Sequence, residues 1–139
     1  MDPQTAYERY VDAILPATGM HELTATARLD KVGHRIMPGF YRGAFARGQE
    51  PADDGTPHFY IVNGMSGPPG DHWHGVYREP GQRPLVYDSF GRGTRGFRGR
   101  GTERDAEQTK EGWDKDTCGP RCLAWGLVAQ DFGQRADEI

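Results

Sequence analysis

A chain of 139 residues with 17 Lys and Arg against 20 Asp and Glu carries a formal charge of −3, so it exerts no overall pull on nucleic acid or on an anionic membrane. Hydrophobic residues make up only 35%, while glycine (20) and proline (10) abound, which points to one loop-rich domain over residues 1–139 with a small core. No apolar run nears the roughly 18 residues of a membrane span, Met1-Asp2-Pro3 opens no secretory signal, and two cysteines build no disulfide framework, which suits a reducing compartment.

Apolar side chains at Tyr7, Tyr10, Val11, Ile14 and Leu15 recur at helical spacing and predict a helix over residues 5–15, stopped at Pro16. A weaker helical pattern covers 21–32. Together they make an N-terminal helical segment, 1–35, ahead of a core at 36–133. Over 38–49 the anchors Phe40, Tyr41 and Phe45 alternate with glycines that favour an irregular segment. Residues 58–63 read as a strand between Pro57 and Gly64, residues 66–70 as a Gly/Pro loop, 72–78 as a second strand and 84–89 as a third. The turn Glu79-Pro80-Gly81-Gln82 joins the last two. An Arg/Gly loop fills 91–101, and 105–116 is polar, part helix and part loop. The clearest helix is 118–132, with Thr117 as N-cap, Pro120 in its first turn, Leu123, Trp125, Leu127 and Val128 as apolar residues, and Gly133 closing it. Helices, a meander of strands and a final helix spell an α+β fold.

Three residues in order then suggest chemistry: His72, Asp88 and Cys118. A cysteine attacks an acyl carbon as thiolate, so it needs an imidazole to take its proton, and the imidazole needs a carboxylate to fix its tautomer. Cys118 falls at a helix start, where unpaired N–H groups and the helix dipole should lower its pKa. Gly119 leaves room for a substrate backbone. Cys122, one turn on among Leu123 and Trp125, reads as core, and a metal site on the two cysteines lacks a second ligand pair. His72 and His74 share a strand face, and a meander lets Asp88 lie beside His72.

The string from Ile61 to Trp73, the run Tyr87-Asp88-Ser89-Phe90-Gly91 and the helix start Cys118-Gly119-Pro120-Arg121-Cys122 resemble, in order and spacing, the His-Trp segment, the acid-bearing strand end and the Cys-Gly-x-x-Cys helix of the adenovirus maturation protease family, adenain. The resemblance spans roughly residues 40–132 and extends to proteases of large DNA viruses and virus-like transposons. It implies a papain-like, adenain-like α+β fold with an antiparallel-rich central sheet and the nucleophile at the N-terminus of a long helix. By it His72 is the general base, Asp88 its orienter and Cys118 the nucleophile, with Trp73 and Gly119 at the substrate. His74 falls where the family has a small or apolar residue. The family's oxyanion-hole glutamine is missing from its usual place, which holds Glu111; Gln108 is the substitute, with the Cys118 and Trp113 N–H groups as the alternative donors.

Arg92, Arg95, Arg98, Arg100 and Arg104 cluster with glycines around Phe97, a composition that neutralises phosphates and stacks a base, or simply stays solvated. The resemblance implies DNA as an activator there and no cofactor for the chemistry. The expected protein is a monomeric cysteine endopeptidase that cleaves viral precursor proteins during virion maturation, in the virion and the host nucleus or cytoplasm. The alternatives are a deconjugase of a ubiquitin-like modifier or an acyltransferase on the same fold, or an inactive virion or nucleic-acid-binding protein that keeps it.

Overall fold

The computed structural model describes residues 1–18, 26–63, 73–88, 100–102 and 118–139, the stretch 100–102 as backbone only. In chain order these are helices α1 (Pro3–Thr18) and α2 (Thr26–Ile36), strands β1 (Tyr41–Ala46), β2 (His58–Asn63), β3 (Trp73–Arg78), β4 (Leu85–Tyr87) and β5 (Arg100–Thr102), helix α3 (Cys118–Phe132), and a 3-10 helix at Gly133–Glu138. The architecture is α+β, with a five-stranded sheet in the order β1-β2-β3-β4-β5. Among the described residues no helix is long and apolar enough to cross a membrane.

Asp2 caps α1, its Oδ1 accepting the Thr5 N–H at 2.7 Å. The helix runs past Pro16, where the sequence had it stop, and ends at Thr18. A proline so near a helix end removes one N–H late in the ladder, a loss that the buried face of Ala6, Tyr7, Val11 and Ile14 outweighs. The α2 helix buries Leu29, Val32 and Gly33. A Cβ on Gly33 would lie 2.6 Å from the Tyr41 ring, so α2 packs there only as glycine. The Tyr41 hydroxyl then donates to Asp30 at 2.8 Å.

Tyr41–Ala46, expected to be irregular, is strand β1, parallel to β2. The glycine that argued against a strand marks a bulge instead: Gly43, at φ 132°, sits where the register shifts between Tyr41 and Ala44. The meander of β2, β3 and β4 is antiparallel as expected, and the sheet built around it is mixed. The flanking pairs β1–β2 and β4–β5 are parallel. Arg100, assigned to the Arg/Gly loop, opens β5 opposite Leu85.

The helices cover one sheet face. Trp125 of α3 stacks on Tyr87 (5.6 Å, 12°), tilts against Phe59 (5.9 Å), and donates its Nε1–H to the Ala136 carbonyl at 3.1 Å. That close approach requires Gly126, whose added Cβ would sit 2.5 Å from Phe59, and Gly75, whose Cβ would sit 3.0 Å away. Tyr7 reaches in from α1 to hydrogen-bond Tyr87 hydroxyl to hydroxyl, so the N-terminal helix shares the core of the strands. On the second face Tyr60, Val62, Val76 and Val86 cluster with Phe45. Helix α3 has the bounds the sequence indicated, and Gly133 (φ 59°) ends it; Thr117 lies outside the described residues.

Candidate active site

Cys118 is the first residue of α3 and Trp73 the first of β3, and the two meet. The Trp73 N–H donates to Cys118 Sγ at 3.4 Å, and Cys122, one turn along, donates its S–H to the Trp73 carbonyl, also at 3.4 Å. The two sulfurs therefore bracket the Trp73 backbone, docking the helix start against the strand start. Cys122 is buried core, as its neighbours suggested.

Cys118 is fully buried too, and this reverses the expected direction of its pKa. Burial pushes the thiol up to about 11, and the negative charge of Asp88 adds to the rise, against hydrogen bonds from the Trp73 and Gly119 N–H groups. The helix-start donors that the sequence promised are present, but desolvation of the thiolate outweighs them. At Gly119 the space a side chain would take is filled by Leu29, 2.9 Å from an added Cβ, so packing against α2 is reason enough for a glycine. Trp73 is 7% exposed and belongs to the main core.

Asp88 follows β4 directly and is fully buried. Its described histidine neighbour is His74, which the resemblance had set aside. The register Gly75↔Tyr87 and Val76↔Val86 brings His74 opposite Asp88, Nε2 to Oδ2 3.4 Å, both side chains fully buried. Alternation along β3 turns His74 to the face of Val76, away from the α3 face that holds Trp73 and Cys118. His72, Gln108, Glu111, Trp113, Arg92, Arg95, Phe97, Arg98 and Arg104 lie outside the described residues, as does the side chain of Arg100.

Nothing matches this chain among family models, curated proteins or solved structures. The site is therefore read from its own geometry. At one end of the sheet, where β3 begins and β4 ends, Cys118 meets the Trp73 backbone on the α3 face, while His74 meets Asp88 on the other face.

Two other constellations compete with it. Asp53, Asp54 and His58 place ligand atoms within 4.8 Å of one another. Hydrogen bonds within the loop already occupy several of these atoms: Asp53 accepts the Gly55 N–H, Asp54 accepts from Arg42 and Thr56, and His58 Nδ1 lies 2.8 Å from the Thr56 carbonyl. A cleft of about 330 Å³ lies beside α2, lined by Ala17, Ala27, Arg28, Lys31, Val32 and Arg35. It holds no candidate catalytic residue.

Proposed function

We propose that this protein is a cysteine endopeptidase of papain-like, adenain-like architecture, with Cys118 as nucleophile, His72 as general base and Asp88 as the acid that orients it. The reading is carried by one contact, the Trp73 N–H on Cys118 Sγ, which seats the thiol at the residue directly after His72. A thiol held near 11 is about one part in ten thousand thiolate at neutral pH. A base at the neighbouring residue is therefore what the chemistry needs, and proton transfer to imidazole supplies it as substrate carbonyl is attacked. The Gly119 and Trp73 N–H groups stabilise the sulfur anion, and Gln108 is the proposed donor to the oxyanion.

On this reading the substrates are viral precursor proteins cleaved during maturation, no cofactor enters the chemistry, and DNA bound by Arg92, Arg95, Arg98 and Arg100 is the activator. A second reading, an inactive member of the same fold, is favoured by the full burial and raised pKa of Cys118. Incubation with a peptide vinyl sulfone followed by intact mass separates them. A single adduct on the parent protein, absent from Cys118→Ala, together with peptide hydrolysis that the same substitution abolishes, supports the peptidase. No adduct, or hydrolysis within tenfold of the parent in Cys118→Ala, overturns the nucleophile.

A further inference from the structure

Packing accounts for the inward side of α2, where Leu29, Val32 and Gly33 are buried. It does not account for the outward side. Arg28, Lys31 and Arg35 recur at i, i+3 and i+7, so at about 100° per residue they share an arc of about 60° on the helix surface. All three are exposed, and among the described residues none of them takes part in a hydrogen bond or ion pair. The acid of the helix, Asp30, lies off that arc and accepts the Tyr41 hydroxyl at 2.8 Å. Like charges three and four positions apart on a helix repel. The dipole favours a cation at Arg35, in the last turn, but opposes one at Arg28, which stands at the positive end with no acid in that turn.

The same three cations line one cavity. In the cleft of about 330 Å³ their companions are Ala17, Ala27 and Val32, and among the described residues the lining holds no carboxylate and no aromatic ring. We propose that this cleft binds a compact polyanion carrying two or three phosphoryl groups. Its volume is at the small end of small-molecule pockets, so the ligand is small. With no acceptor or ring in the lining to read a sugar or a base, recognition is by charge. A ligand of about three negative charges offsets the repulsion along Arg28, Lys31 and Arg35 that the free helix bears. A phosphoryl group offers three acceptor oxygens, enough for a guanidinium fork on one side and the Lys31 ammonium on another. A carboxylate offers two oxygens in one plane and suits a single fork.

Titration calorimetry of the full chain with inorganic tripolyphosphate at low salt tests this, and no turnover enters it. One tripolyphosphate per chain is expected. Arg28→Gln, Lys31→Gln and Arg35→Gln should each weaken binding about tenfold or more, the usual worth of a hydrogen bond between charged groups, and the triple variant should lose it. Two further variants separate a built cleft from loose surface charge. Ala27→Leu keeps every charge but fills the cleft, and should weaken binding too. Arg47→Ser removes an exposed cation outside the lining and should leave binding unchanged. Each of these side chains is exposed, so the variants are expected to fold. No binding to the parent, binding that survives the triple variant, an unaffected Ala27→Leu, or Arg47→Ser as damaging as Arg28→Gln overturns the proposal. Citrate is the carboxylate control, and citrate bound as tightly as tripolyphosphate overturns the phosphoryl assignment. A short DNA duplex is the polymer control. If DNA binds and is lost with the three α2 variants while tripolyphosphate does not bind, the stripe serves nucleic acid and the small-ligand site is overturned.

Discussion

Alkaline pH should weaken the fold through the Cys118 thiol, and the size of the effect follows from its burial. The group goes from an ordinary 9.0 to about 11 in the folded chain. Its protonated form is the one the fold prefers, so the contribution to stability is whole below pH 9 and drains away as pH climbs through 11. Two units at about 1.4 kcal/mol each bound the loss at about 3 kcal/mol, with a slope of no more than about 1.4 kcal/mol per pH unit inside that window. Tyrosines also titrate in this range, so the measurement is a difference: urea unfolding of the parent and of Cys118→Ala, side by side, from neutral pH to just below 11. The parent is expected to lose its advantage over the variant progressively once pH passes 9. A difference that stays flat across the window would mean that the thiol is solvated or already ionised, and the burial argument would fail with it.

The Cβ of Gly126→Ala would meet the Phe59 ring first, 2.5 Å away, so chemical denaturation should show a loss of about 1–3 kcal/mol in spite of the better helix propensity of alanine; unchanged or raised stability would show that Phe59 yields freely. In peptide hydrolysis His72→Ala should cost about 10²–10⁴-fold, the usual worth of a general base, and His74→Ala less; equal losses, or a larger one at His74, would move the base to His74. DNA affinity should fall with salt at a log–log slope of about −3 to −4 for four engaged phosphates, and replacing Arg92, Arg95, Arg98 and Arg100 by serine should flatten it. Binding that survives the replacement would remove the arginines from the interface.

Local chemistry is what the sequence carries well. Helix α3 is legible to the residue because its signals are local: Pro120 in the first turn and Gly133 at the stop. Strand β2 is legible for the same reason, an apolar run bounded by Pro57 and Gly64. Strand β1 was hidden because its warrant is a parallel partner more than a dozen residues on, and its glycine, read as a breaker, serves as a bulge. At the site the sequence put an acid and two histidines on facing strands, but which histidine meets the acid depends on the length of one loop. A four-residue turn at 79–82 would set His74 opposite Tyr87; the observed register, with Arg83 also in the loop, sets it opposite Asp88. In a strand a shift of one residue sends every side chain to the other face, so the contact exists only once the hairpin closes. The charge state of Cys118 is likewise a tertiary property. Its helix start is written in the chain, but the desolvation that outweighs the helix-start donors comes from the strands, α1 and α2 closing over it.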